Sequence, residues 1–108
     1  MTNHPNRKRS SDIIVKLIRR RSGFVNVPDA FQVMEPGASV DEYNETTEEY
    51  YLPEGYQVAK SAFGELEIYD ASNKHCEIVE HIPSGRPQLV SVAREMPVLK
   101  RKPDADAA

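Results

Sequence analysis

Cysteine is all but missing from this chain. Cys76 stands alone, so no disulfide can form within the molecule, which points to a reducing compartment or to indifference to redox state. Tryptophan is absent, aromatic residues make up only 7%, and mean hydropathy is negative. The composition therefore lies towards the polar end of foldable sequences. No apolar run approaches the roughly 20 residues that a membrane helix needs. The longest near the N-terminus, Ile13-Ile14-Val15, is stopped by Lys16. Set behind Arg7-Lys8-Arg9, the same run is too short for a signal peptide, and no small-residue cleavage site follows it. These absences predict a cytoplasmic protein without membrane association. There is no glycine-rich phosphate loop, because Gly64 and Gly85 are isolated turn glycines.

What is present is charge, sharply segregated. Residues 1–22 carry seven basic side chains (Arg7, Lys8, Arg9, Lys16, Arg19, Arg20, Arg21) against one acid, Asp12. Residues 35–54 carry seven acids and no base, although the whole chain has a net charge of only −3. Such asymmetry bears on partners and association rates rather than on fold.

The 108 residues suit one domain. Residues 1–9 read as a disordered basic tail, 10–99 as a single domain and 100–108 as a charged tail. A helix is expected from Ser10 or Ser11 to about Arg21. Serine caps its start, and Ile13, Ile14, Leu17 and Ile18 share one face. The arginines suit its negative end, and Gly23 stops it. A strand competes there, since Ile-Ile-Val is β-branched. A second helix is expected from Val40 to about Tyr51, with capping-box spacing at Ser39 and Glu42 and a stop at Leu52-Pro53. Thr46 and Thr47 count against it.

From Gly55 the period changes to two. Strands are expected over Tyr56–Ser61, Glu65–Asp70, His75–Ile82 and Gln88–Ala93, with a short edge at Val98-Leu99. Asp70–Lys74 and Pro83–Pro87 form turns, and Asn73 suits a left-handed conformation. Short turns between successive strands predict an antiparallel meander over 55–99. The expected fold class is thus α+β, a three- to five-stranded antiparallel sheet preceded by one or two short helices.

Candidate chemistry is thin. On a strand His75 and Cys76 point to opposite faces, and His75 and His81 lie about 20 Å apart at ~3.3 Å per residue. A structural zinc site needs four ligands, so no metal or cofactor is expected. A nucleophilic pair of Cys76 with His81 or His4 fails similarly, because the strand turns Cys76 to the apolar side, where a thiol is inert. Paired carboxylates such as Glu48/Glu49 or Glu65/Glu67 read as a solvated face. No catalytic residue is assigned, and the expected class is not an enzyme.

Two contact surfaces remain. The basic set Arg7, Lys8, Arg9, Lys16, Arg19, Arg20 and Arg21 could bind phosphates or an acidic partner, or fold back on its own acidic segment. The set Asp41, Glu42, Tyr43, Glu45, Glu48, Glu49 and Tyr50 interleaves carboxylates with tyrosines. Spaced carboxylates can imitate phosphates and occupy a basic channel on another protein, with tyrosines as anchors.

Leu52-Pro53-Glu54-Gly55-Tyr56 with Val58-Ala59, Gly64-Glu65, Ile68-Tyr69-Asp70, His75-Cys76-Glu77-Ile78-Val79, and Ser84-Gly85 with Pro87-Gln88-Leu89-Val90-Ser91 carry a resemblance. Over roughly residues 52 to 99 the chain resembles small uncharacterised accessory proteins of phages and conjugative elements. That resemblance implies a host-interaction or counter-defence role. Anti-CRISPR proteins and DNA mimics are similar in size and charge, an analogy of class. The resulting expectation is a non-enzymatic inhibitor of a nucleic-acid-handling protein such as a CRISPR-Cas effector. The alternative is a small nucleic-acid-binding or regulatory protein working through the basic segment. Either would act as a monomer or homodimer.

Overall fold

The computed structural model describes residues 13–91 and 95–103. Among them are nine strands and no helix. They are β1 (Ile14–Arg20), β2 (Ala30–Val33), β3 (Glu45–Tyr51), β4 (Gln57–Lys60), β5 (Leu66–Tyr69), β6 (His75–His81), β7 (Arg86–Val90), β8 (Glu95–Val98) and β9 (Lys100–Arg101). One sheet has the order β2-β1-β3-β9 and the other β4-β5-β6-β7-β8, and every pairing is antiparallel. The protein is therefore all-β, which corrects the α+β expectation.

Both expected helices are strands, for local reasons. In β1, Val15 and Leu17 point into the core while Ile14 and Lys16 point away. The apparent helical face arose because Ile18, on the outer side, is also buried. β2 and β3 flank β1 on opposite sides and both run against it, so residues 34–44 must cross over β1. Ile18 shares a surface hollow with Pro36, Gly37 and Ala38 of that crossing. Burial from both sides gave a strand an apolar pattern that mimics 3.6-residue periodicity. In β3 the β-branched threonines and paired tyrosines prevail. Two residues after Ser39 the chain makes a turn instead of a helix start, with Asn44 and Glu45 donating backbone N–H to the Asp41 carbonyl at 3.0 and 2.7 Å. The Glu45 carboxylate accepts from Asp41 N–H at 2.9 Å, and the Asp41 carboxylate accepts from Tyr43 N–H at 3.1 Å.

β4 to β8 follow one another in chain order, each beside the last. Asn73 takes φ 66° in the turn between β5 and β6. There the Asp70 carboxylate accepts from the N–H groups of Ser72 and Lys74 at 2.8 and 2.9 Å. Pro87 sits within β7, a central strand, which its missing N–H should oppose. Its ring nitrogen faces the side where β8 has already ended, and its carbonyl still accepts Leu99 N–H at 2.8 Å. Lys100 and Arg101, expected in a tail, form β9 on β3.

The core lies between the sheets, built from Val15, Leu17, Val33, Tyr50, Leu52, Tyr56, Ile68, Cys76, Leu89 and Leu99. Two ends of the molecule follow from the register. At one, the turn after β3 meets the β5–β6 turn so closely that a Cβ on Gly55 (φ +89°) would stand 2.7 Å from that of Ala71. At the other end lie the β1–β2 loop, the Asp41–Asn44 turn, and the β4–β5 and β6–β7 turns.

Candidate interaction surface

Arg7, Lys8 and Arg9, the expected start of the first helix, and His4 lie outside the described residues. The remaining basic candidates are on or just after β1 and have diverged in role. Arg19 is on the core side of the sheet. Its guanidinium reaches Asp29 at 2.9 Å and Glu80 at 3.0 Å, donates to the carbonyl of Gly85, and lies 4.6 Å over the ring of Phe31. Burial works against its charge, but the hydrogen bonds to Asp29 and Glu80 outweigh it and hold the pKa above the usual arginine value. Asp29 in turn accepts Ser22 N–H at 3.0 Å, and this bond together with Arg19 keeps its carboxyl below the ordinary range. Asp29 N–H donates to Glu80 at 3.2 Å. The cluster clasps the β1–β2 loop to the end of β6 and joins the two sheets.

Arg20 pairs with Glu45 at 2.5 Å on the outer face. The backbone N–H of Asp41, then Arg20, lower the Glu45 pKa. Glu48 pairs with Arg101 at 2.9 Å and accepts the Tyr50 hydroxyl, whereas Glu49 pairs with Lys102 at 3.2 Å. Burial and the Glu48 carboxylate push the Tyr50 phenol up, and the phenol ring is fully buried. Of the acidic candidates, Glu45, Glu48, Glu49 and Tyr50 are thus occupied in holding β3 to β1 and β9. Asp41 orders its turn. Glu42 and Tyr43 project from that turn, and Tyr43 is 91% exposed. Lys16 and Arg21 make no ion pair among the described residues.

Two features escaped the reading by charge. The first is that six of the eight exposed large apolar side chains among the described residues belong to one end, the exceptions being Ile14 at the start of β1 and Val79 within β6. Phe24, Val25 and Val27 stand on the β1–β2 loop, Tyr43 on the crossing, Phe63 on the β4–β5 turn and Ile82 on the β6–β7 turn. All six belong to the end described above. Contacts join three of these four turns: the Arg19 clasp links the β1–β2 loop to the β6–β7 turn, and Arg21 N–H donates to the Asn44 carbonyl at 3.0 Å, while the β4–β5 turn shares the end by register alone. Val25 is fully exposed and Phe63 91% exposed. The opposite end carries Glu54, Gly55 and the run Ala71-Ser72-Asn73-Lys74. The signal was in the sequence as Phe24-Val25 and Phe63-Gly64 beside turn residues, but only the register shows that they share an end.

The second feature is a slot between β5 and β6. Their ladder holds only two pairs, Ile68↔Cys76 and Tyr69↔His75, and then the strands separate. The opening, of about 390 Å³, has Phe31, Leu66 and Ile78 on its core side and Glu65, Glu67 and Glu77 on its outer side.

His75 and His81 lie on the outer face of β6. His75 approaches Glu67 at 3.3 Å and stacks at an angle on Tyr69. Cys76 is buried on the other face, where burial raises its thiol pKa. Among the described residues no group of three or more His, Cys, Asp or Glu side chains is placed to hold a metal ion, and no helix is long and apolar enough to cross a membrane. Comparison with protein-family models, curated proteins and solved structures returns no match.

Proposed function

We propose that this protein works by binding another macromolecule through its loop end rather than by catalysis. The observation that carries this reading is the gathering of Phe24, Val25, Val27, Tyr43, Phe63 and Ile82 on four separate turns at one end of a two-sheet scaffold. Isolated exposed apolar residues need no explanation, but a concentration of them marks an interaction site. Loops set on a rigid sheet scaffold are where binding residues concentrate. Aromatic side chains are the usual anchors of protein interfaces. The Cys76 thiol is buried with its pKa raised, which disfavours it as a nucleophile, and the Ser84 hydroxyl, 2.9 Å from His81 Nδ1, closes the exposed β6–β7 turn by accepting Arg86 N–H.

Within this reading the partner proposed from the charge pattern and the resemblance to mobile-element accessory proteins is a nucleic-acid-handling protein, which the chain would inhibit. Its acidic contact is then Glu42 beside Tyr43, not the β3 carboxylates, because those already have basic partners within the chain. The alternative of direct nucleic-acid binding loses Arg19 and Arg20 to internal ion pairs and keeps Lys16 and Arg21, together with Arg7, Lys8 and Arg9 outside the described residues.

The test is photo-crosslinking in cells, with a benzophenone amino acid in place of Val25, Phe63 or Ile82, and of Ser72 at the opposite end. A discrete adduct that survives nuclease treatment is expected at the first three positions and not at Ser72. Adducts of equal yield at both ends, or a nuclease-sensitive set, would overturn the reading.

A further inference from the structure

The slot between β5 and β6 has a chemistry that the loop end does not share. Asp70 N–H donates to the Lys74 carbonyl at 2.9 Å where the two strands meet. Backbone groups alternate in direction along a strand. On this phase Ile68 and Leu66 of β5, and Cys76 and Ile78 of β6, turn their N–H and C=O groups towards each other's strand. The ladder covers Ile68↔Cys76 and stops before Leu66 and Ile78, so at these two residues the strands face each other across an opening instead of a pairing. β2 packs beside the opening on its core side and contributes Phe31.

Side chains alternate as well. Phe31, Leu66 and Ile78 are only partly buried and present apolar surface from the core side. Glu65, Glu67 and Glu77 present carboxylates from the outer side. Arg20 also reaches the slot but is paired with Glu45, and His75 at its edge lies against Glu67. The slot thus offers a strand-like occupant apolar contacts on one side and negative charge on the other.

We propose that the slot takes an extended segment of a partner protein in which apolar residues alternate with lysine or arginine. Its backbone would pair at Leu66 and Ile78, as in β-strand addition. Its apolar side chains would meet Phe31, Leu66 and Ile78, and its cations would meet Glu65, Glu67 and Glu77. A second copy of this chain is a poor occupant. The exposed strand β4 reads Gln57-Val58-Ala59-Lys60 and has one cation, and β3 would bring carboxylates against carboxylates.

The probe is a fluorescent, acetylated and amidated pentapeptide, Val-Lys-Val-Lys-Val, titrated with the full chain. Saturable binding is expected, and the matching Val-Glu-Val-Glu-Val peptide should bind at least about tenfold more weakly. The double substitution Glu67→Gln and Glu77→Gln, nearly isosteric and on an exposed face, should weaken the lysine peptide by about tenfold. Binding should also slow amide exchange at Leu66 and Ile78 while leaving the turn at Asp70–Lys74 unchanged. The proposal is overturned by equal affinity for the two peptides, by unchanged affinity of the Gln/Gln chain, by unaltered exchange at Leu66 and Ile78, or by no saturable binding up to millimolar peptide. It is also overturned if sedimentation shows a dimer that the peptide disrupts. Crosslinking at Val25, Phe63 and Ile82 reads the loop end independently, so either site can fail alone.

Discussion

Arg19 and Arg20 are adjacent in the sequence and lie on opposite faces of one strand. Arg19 has two carboxylates, a carbonyl and an aromatic face around it and is largely enclosed. Arg20 has one carboxylate and is half exposed. Removing one member of an enclosed polar cluster leaves its partners unsatisfied, which costs roughly 1–3 kcal/mol, whereas an exposed pair contributes about 0–1 kcal/mol. Arg19→Ala should therefore lower the urea midpoint clearly, and Arg20→Ala should barely move it. Arg19→Lys should fall nearer to Arg19→Ala, because an ammonium cannot bond Asp29, Glu80 and the Gly85 carbonyl with one planar fork. An equal effect of Arg19→Ala and Arg20→Ala would contradict the clasp. Nothing in the run Arg19-Arg20-Arg21 distinguishes its members. Strand alternation does, and alternation is visible only once the segment is known to be a strand.

At the scale of elements, the meander strands were legible and the first two long strands were not. Gly64, Asn73, Pro83 and Gly85 mark turns by their backbone preferences, so β4 to β7 could be placed to within a few residues. β1 and β3 carried competing signals. Ile18 lies under the crossing, which no local pattern announces, and the Asp41–Glu45 turn uses the same residue types as a helix cap. β3 also changes what charge reversal can test. Glu48 bonds Arg101 and the Tyr50 hydroxyl, so Glu48→Lys should destabilise the fold by roughly 1–3 kcal/mol in urea unfolding, whatever it does to a partner. Glu42→Lys, in an exposed turn with no such bonds, should stay within about 0.5 kcal/mol. Loss of partner binding in the Glu42 variant would then implicate the surface, whereas loss in the Glu48 variant alone would not. A Glu48→Lys chain as stable as the parent would contradict the role of that carboxylate in holding β9.

Across the whole molecule, the segregated charge is largely reunited by folding. Basic β1 pairs with acidic β3, basic β9 closes on the same strand, and the Arg19 clasp joins the sheets. Stability should therefore depend on pH at both extremes. Asp29 titrates lower in the folded chain than its unfolded value near 3.8. Its contribution is fully present above that value and is lost as pH falls through the folded one. Tyr50 titrates higher in the folded chain than its unfolded value of 10.0. Its contribution is fully present below that value and is lost as pH rises through the folded one. Urea midpoints measured from pH 2 to 11 should show a plateau that falls below about 4 and above about 9, where Cys76 and then Tyr50 begin to titrate in the unfolded chain. Asp29→Asn should make the acid limb shallower, leaving the part that Glu45 supplies, and keep the alkaline limb in place, whereas Tyr50→Phe should make the alkaline limb shallower, leaving the part that Cys76 supplies. The parts lost in the two variants report different regions of the molecule, the clasp between the sheets and the β3–β9 edge. A single variant that flattened both would show that the sheets do not titrate as separate parts, and would remove the basis for treating the clasp and the acidic strand as independent supports of the fold.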